Sequence, residues 1–203
     1  MRRLALVVLA VLATSAPASA SPPCHLITDP RGDATSSPTS PASRDDLDIL
    51  SVDLDVRAGR VATTMRVQHL AEGPPLVSGA QYDVFVTRDG LEYTAEAYLD
   101  AQGERFSVHT GMLTDPAHPY RFVDVSGTFD RGRSEIRVLA PLAAFTPDGG
   151  GGRSRSFTDI GAQTGDLAAS AVVYVGSSAD QAGGSVTYVP GQRRCMTAAP
   201  GGG

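Results

Sequence analysis

The sequence predicts an all-β protein, a single antiparallel, jelly-roll-like β-sandwich, and three observations carry that prediction. Apolar residues recur at every second position in short runs, the signature of strands with one buried face. Glycine and proline supply 36 of the 203 residues and fall between those runs, as turns require. Helix-favouring stretches of Leu, Glu and Lys are missing, and all 17 basic residues are arginine.

The chain opens with a basic start (Arg2, Arg3), an apolar run from Leu4 to Leu12 and the small-residue motif Ala18-Ser19-Ala20. That order predicts an export signal over residues 1–20, cleaved before Ser21, and hence a secreted, extracellular or cell-surface protein. Removing 20 of 203 residues leaves 183, enough for one well-buried core and awkward for two. The expected β-sandwich domain covers residues 21–197, with an exposed Ser/Thr/Pro loop at 34–44 and a disordered tail at 198–203.

Cys24 and Cys195 bracket that domain. In an oxidising compartment, two thiols near opposite ends of one domain read as a disulfide before a catalytic or metal pair. Closing so long a loop contributes on the order of 5 kcal/mol in the chain-entropy picture.

The strands follow in order. Leu50, Val52 and Leu54 alternate with Ser51, Asp53 and Asp55, and residues 61–70 return after the turn Arg57-Ala58-Gly59-Arg60, predicting a first hairpin. Tyr82, Val84 and Val86 alternate with Asp83, Phe85 and Thr87; Arg88-Asp89-Gly90 turns the chain, and Leu91, Tyr93, Ala95, Ala97 and Leu99 alternate again. This alternation places Tyr82 and Tyr93 with their apolar neighbours, in the core. Further strands are expected at 105–109, 120–125, 127–129, 135–139, 169–175 and 185–189. Only Pro141-Leu142-Ala143-Ala144-Phe145 reads as helical, about one turn with proline at its start. Residues 148–152 read as a glycine loop.

Charge and motifs narrow the function. The net charge of −5 becomes −7 once Arg2 and Arg3 leave, and no basic stripe tracks a phosphate backbone, so nucleic acid is not an expected partner. No apolar run after the signal is long enough to span a bilayer, so no membrane insertion of the mature chain is expected. G-x-S-x-G and H-E-x-x-H are absent, and His109 and His118 do not form a local zinc motif. The expectation is a protein that is not an enzyme.

One segment has a recognisable character: Asp29-Pro30-Arg31-Gly32-Asp33-Ala34, continued after the loop by Asp45-Asp46-Leu47-Asp48-Ile49, with the late elements Ala179-Asp180 and Tyr188. On these residues the chain resembles the family-9 carbohydrate-binding-module-like sandwiches, a group close to the DOMON-type domains. The resemblance implies an extracellular β-sandwich that binds carbohydrate or cell-wall glycan without catalysis, in some members with structural calcium held by acidic residues near the first strands. Asp29, Asp33, Asp46 and Asp48 can supply such carboxylates, and calcium takes six to eight oxygen ligands. The same aspartates also read as ordinary turn formers and solvent-face residues. The chain has no tryptophan, the usual sugar platform, which leaves six tyrosines for that role. The alternative reading is a secreted structural or protein-interaction sandwich with no small ligand. No Met–His spacing singles out a haem-ligand pair.

Overall fold

The computed structural model describes residues 25–34, 44–70, 79–110, 120–147, 154, 156–167, 178–183 and 186–191. It is nearly all-β and contains two antiparallel sheets, as the alternation predicts. The strands are β1 Ile27–Thr28, β2 Ile49–Arg57, β3 Arg60–Val67, β4 Gly79–Arg88, β5 Leu91–Asp100, β6 Gly103–Thr110, β7 Arg121–Asp124, β8 Ser126–Asp130, β9 Glu135–Pro141, β10 Thr158–Leu167 and β11 Ser178–Gly183. The first sheet has the order β1-β2-β3-β9-β8 and the second β11-β10-β4-β5-β6-β7. A short helix α1, Arg44–Leu47, precedes β2 where the sequence reading expected the loop to end, and a 3-10 turn, Leu142–Phe145, follows Pro141 as expected.

The two predicted hairpins form by the predicted turns. Arg57 pairs with Arg60 and Arg88 with Leu91, so each loop has two residues. Both loop residues take positive φ, Ala58 at 49° and Gly59 at 73° in one, Asp89 at 52° and Gly90 at 80° in the other. That is the backbone whose twist matches the flanking strands, and it explains Gly at the second position of each.

The inward residues of both sheets make one core. Val52, Val61, Met65, Val86, Ala97 and Ile160 are buried in it, and Tyr82 and Tyr93 join them at 2% and 0% exposure. Rings tie the layers: Tyr82 meets Phe129 of β8 edge-on at 5.7 Å, and Phe145 lies between Tyr93 and Phe157. Burial on this scale contributes about 1.5–3 kcal/mol per large apolar side chain.

β10 was not foreseen, because its run Thr-Asp-Ile-Gly-Ala-Gln-Thr-Gly-Asp-Leu is poor in large apolar residues. Its inward positions are Ile160, Ala162 and Thr164, and the fully buried Thr164 hydroxyl donates to the Leu47 carbonyl at 2.6 Å. The strand expected at 185–189 is reduced to one bridge between Tyr188 and Phe157, and the pairing strand is β11, a few residues earlier. The strand expected at 169–175 lies outside the described residues, as do the signal segment, most of the 34–44 loop, the 148–152 loop, the tail, Cys24 and Cys195. No cysteine pair at disulfide distance occurs among the described residues.

Candidate functional site

Aspartates from three parts of the chain converge where the open edge of the first sheet meets that of the second. The segment before α1 is laid along β2: Leu26 N–H donates to the Val52 carbonyl at 3.0 Å and Asp29 N–H to the Leu50 carbonyl at 3.1 Å. Asp53 reinforces this, accepting from Leu26 N–H at 3.1 Å and contacting His25 Nδ1 at 2.9 Å. Gly32, at φ +85°, then turns the chain so that its N–H donates to Asp48 Oδ2 at 2.7 Å. Asp180 enters from β11, its Oδ2 accepting from Ile49 N–H at 2.7 Å and its Oδ1 from Gln181 N–H at 2.8 Å.

The result is a cluster in which one carboxylate oxygen each of Asp29, Asp33 and Asp180 lies within 4.8 Å of the others. Asp48, 1% exposed, stands beside them and raises the pKa of both Asp29 and Asp180. Two buried oxygens at this junction, Asp29 Oδ2 and Asp48 Oδ1, have no hydrogen-bond partner among the described residues. Loss of water around Asp29, then the negative charges of Asp180, Asp33 and Asp48, push its carboxyl up to about 6. Asp180 is raised by the same kind of desolvation against its two backbone donors. Like charges packed together with orphaned acceptors form an arrangement that a hard cation relieves.

Of the four aspartates singled out in the sequence, Asp29, Asp33 and Asp48 are brought together. Asp46 is not part of the grouping; it sits on α1, and its charge is felt by buried Tyr82. Asp180, marked in the sequence only as a late element of the resemblance, takes the place beside them.

A second polar region lies on the outer face of the six-stranded sheet. Asp83 on β4 faces Glu96 on β5 in direct register, and both are 3% exposed. Gln81 Nε2 bridges them, donating to both oxygens of Asp83 and to Glu96 Oε1 at 2.8 Å. Gln163 Nε2 donates to Asp83, and Tyr98 and Ser107 hydroxyls donate to Glu96. Burial pushes Asp83 up to about 7; the Gln163 and Gln81 hydrogen bonds oppose the shift and nearby Glu96 adds to it. His109 Nε2 lies 3.9 Å from Glu96 Oε1, and burial lowers its pKa against the pull of Glu96 and Glu92. The sequence showed the outward alternation of these residues, but not that a sheet face would bury them.

No family model, curated protein or solved structure matches this chain. Among the described residues, no helix is long and apolar enough to cross a membrane.

Proposed function

We propose that the chain is an exported, non-catalytic binding module of the extracellular space, recognising carbohydrate or cell-wall glycan, with calcium as a structural ion. The observation that carries the calcium assignment is the Asp29, Asp33 and Asp180 grouping beside buried Asp48, with oxygens on Asp29 and Asp48 that find no partner among the described residues. Carboxylate oxygens are the donors calcium prefers. These four residues would hold the ion, and its charge would join the N-terminal segment and β2 of one sheet to β11 of the other. The disulfide between Cys24 and Cys195 belongs to the same reading, as a covalent tie for the ends of the domain.

Calcium is tested by melting the mature protein with the ion and with chelator. Sites of extracellular type bind with Kd on the order of 10⁻⁴–10⁻³ M, so about 10 mM calcium stabilises by roughly 1.4–2.7 kcal/mol. The melting point then rises by about 3–10 °C. Asp33→Ala, at an exposed position, abolishes the rise without disturbing the core. No rise in the parent protein refutes the metal site.

The alternative, a protein-interaction sandwich without small ligand, draws on the burial of Tyr82 and Tyr93, which removes two of the six tyrosines from any sugar platform.

A further inference from the structure

The large apolar side chains that stay exposed among the described residues are Tyr120, 40% exposed, and Phe122, 51% exposed. They do not point in random directions. Tyr120, Phe122 and Asp124 stand two residues apart on and just before β7, so they share one face, and that face is the outer one: Phe122 is in register with His109 and Asp124 with Ser107. The Tyr120 ring packs against His109, centroids 5.4 Å apart at 34°. Tyr120, His109 and Phe122 thus lie side by side on the outer face, at the edge of the buried Asp83–Glu96 network.

Acidic side chains outnumber basic ones around the strip. Outward positions carry Asp83, Glu92, Glu96, Asp100 and Asp124, with Glu92 and Asp124 exposed. Arg105 is the one arginine at an outward position among the described residues of this sheet, and it is already engaged by Asp100 and by the Tyr98 ring, 5.1 Å away. A ligand fitting here needs a flat apolar surface for the rings and positive charge for the carboxylates; an anion would be repelled.

From this complementarity we infer that the outer face of the six-stranded sheet, centred on Tyr120, Phe122 and Asp124, binds amino sugars with a free ammonium group. A pyranose presents axial C–H groups to the aromatic faces, and its ammonium falls beside the exposed Asp124 carboxylate, on the same face of β7 as Phe122. Gln163 and Gln181, outward on β10 and β11 and in register with each other, extend the same face with carboxamides. The assignment rests on the non-catalytic binding reading above and names its ligand class and face.

The test is calorimetric titration of the mature protein with glucosamine oligomers, with N-acetylglucosamine oligomers and with glucose oligomers of equal length and linkage. Glucosamine oligomers are expected to bind, more weakly as salt rises, and the two uncharged series at least tenfold more weakly, one factor of ten being a single ionic or stacking contact. Phe122→Ala and Asp124→Asn are both at exposed positions, and each weakens binding by about tenfold. Equal binding of all three series, or undiminished binding by Phe122→Ala, overturns the inference. So does absence of binding, and if calcium still raises the melting point in that case, the metal reading stands while this one falls. Glucosamine binding without any calcium response has the opposite meaning.

Discussion

Replacing Asp83 by asparagine should make the protein more stable at neutral pH, and the size of the effect follows from the carboxyl's surroundings. The side chain is 97% withdrawn from water, and its pKa rises from 3.8 to about 7, chiefly by desolvation. A carboxyl raised in the folded state keeps its proton there while the unfolded chain releases one. Its contribution to stability is therefore fully present below about pH 4 and is lost as pH rises through about 7. A shift of about three units corresponds to roughly 4 kcal/mol at most, or about 10 °C in melting point for a domain of this size. Asparagine retains the shape, and its carbonyl oxygen still accepts from Gln81 and Gln163, but it has no charge to desolvate. Urea titrations in chelator from about pH 4 to 8 should show the wild type losing stability relative to Asp83→Asn by several kcal/mol. Asp29, Asp53 and Asp180 are raised too and shift both proteins alike, so the difference isolates residue 83. A difference that stays constant over this range would show that Asp83 ionises freely and would refute the argument.

Other perturbations test separate parts of the structure. Arg88, 6% exposed, donates to the carbonyls of Phe145 at 3.0 Å and Ser154 at 3.1 Å and lies over the Phe157 ring, so Arg88→Ala should cost about 2–4 kcal/mol by denaturant titration with the slope unchanged. A Cβ at Gly127 would come within 2.2 Å of the Phe106 ring, so Gly127→Ala should destabilise by about 1–3 kcal/mol in the same assay. Intact mass measured with and without reductant should differ by two hydrogens if Cys24 and Cys195 are joined; two free thiols in the native protein would remove the terminal tie. Calcium binding should weaken as pH falls below about 6, where Asp29 takes up its proton, and calcium titrations at constant ionic strength check this.

The chain by itself determined what local physics can encode. Side-chain alternation fixes which residues of β4, β5 and β9 face inward, and those of β2 from Val52 onward; at Leu50 it fails, because a register shift between Ile49 and Ser51 puts Ile49 in the core instead. The Ala58-Gly59 and Asp89-Gly90 turns fix the register of two hairpins, because a two-residue loop leaves no freedom to slip. Tyr82 and Tyr93 were legible as core residues for the same reason. β10 was not legible, since Thr164 fills a core position with a hydroxyl that is acceptable only because the Leu47 carbonyl, far away in the chain, receives its hydrogen bond. Asp180 was legible only as a late element of the resemblance, with nothing along the chain to set it beside Asp29 and Asp33, and Asp46 could not be told from Asp48. Helix α1 puts Asp46 near Tyr82, while Asp48, one residue before β2, meets Gly32 and the cluster. The Asp83–Glu96 pair reads from sequence as two solvent-facing carboxylates on separate strands. Strand register alone sets them opposite each other, and packing by Gln81, Gln163, Tyr98 and Ser107 alone buries them. Patterns of neighbours along the chain specify strands and faces; charge clusters and their titration arise from residues distant in sequence, so only the folded arrangement of the two sheets decides them.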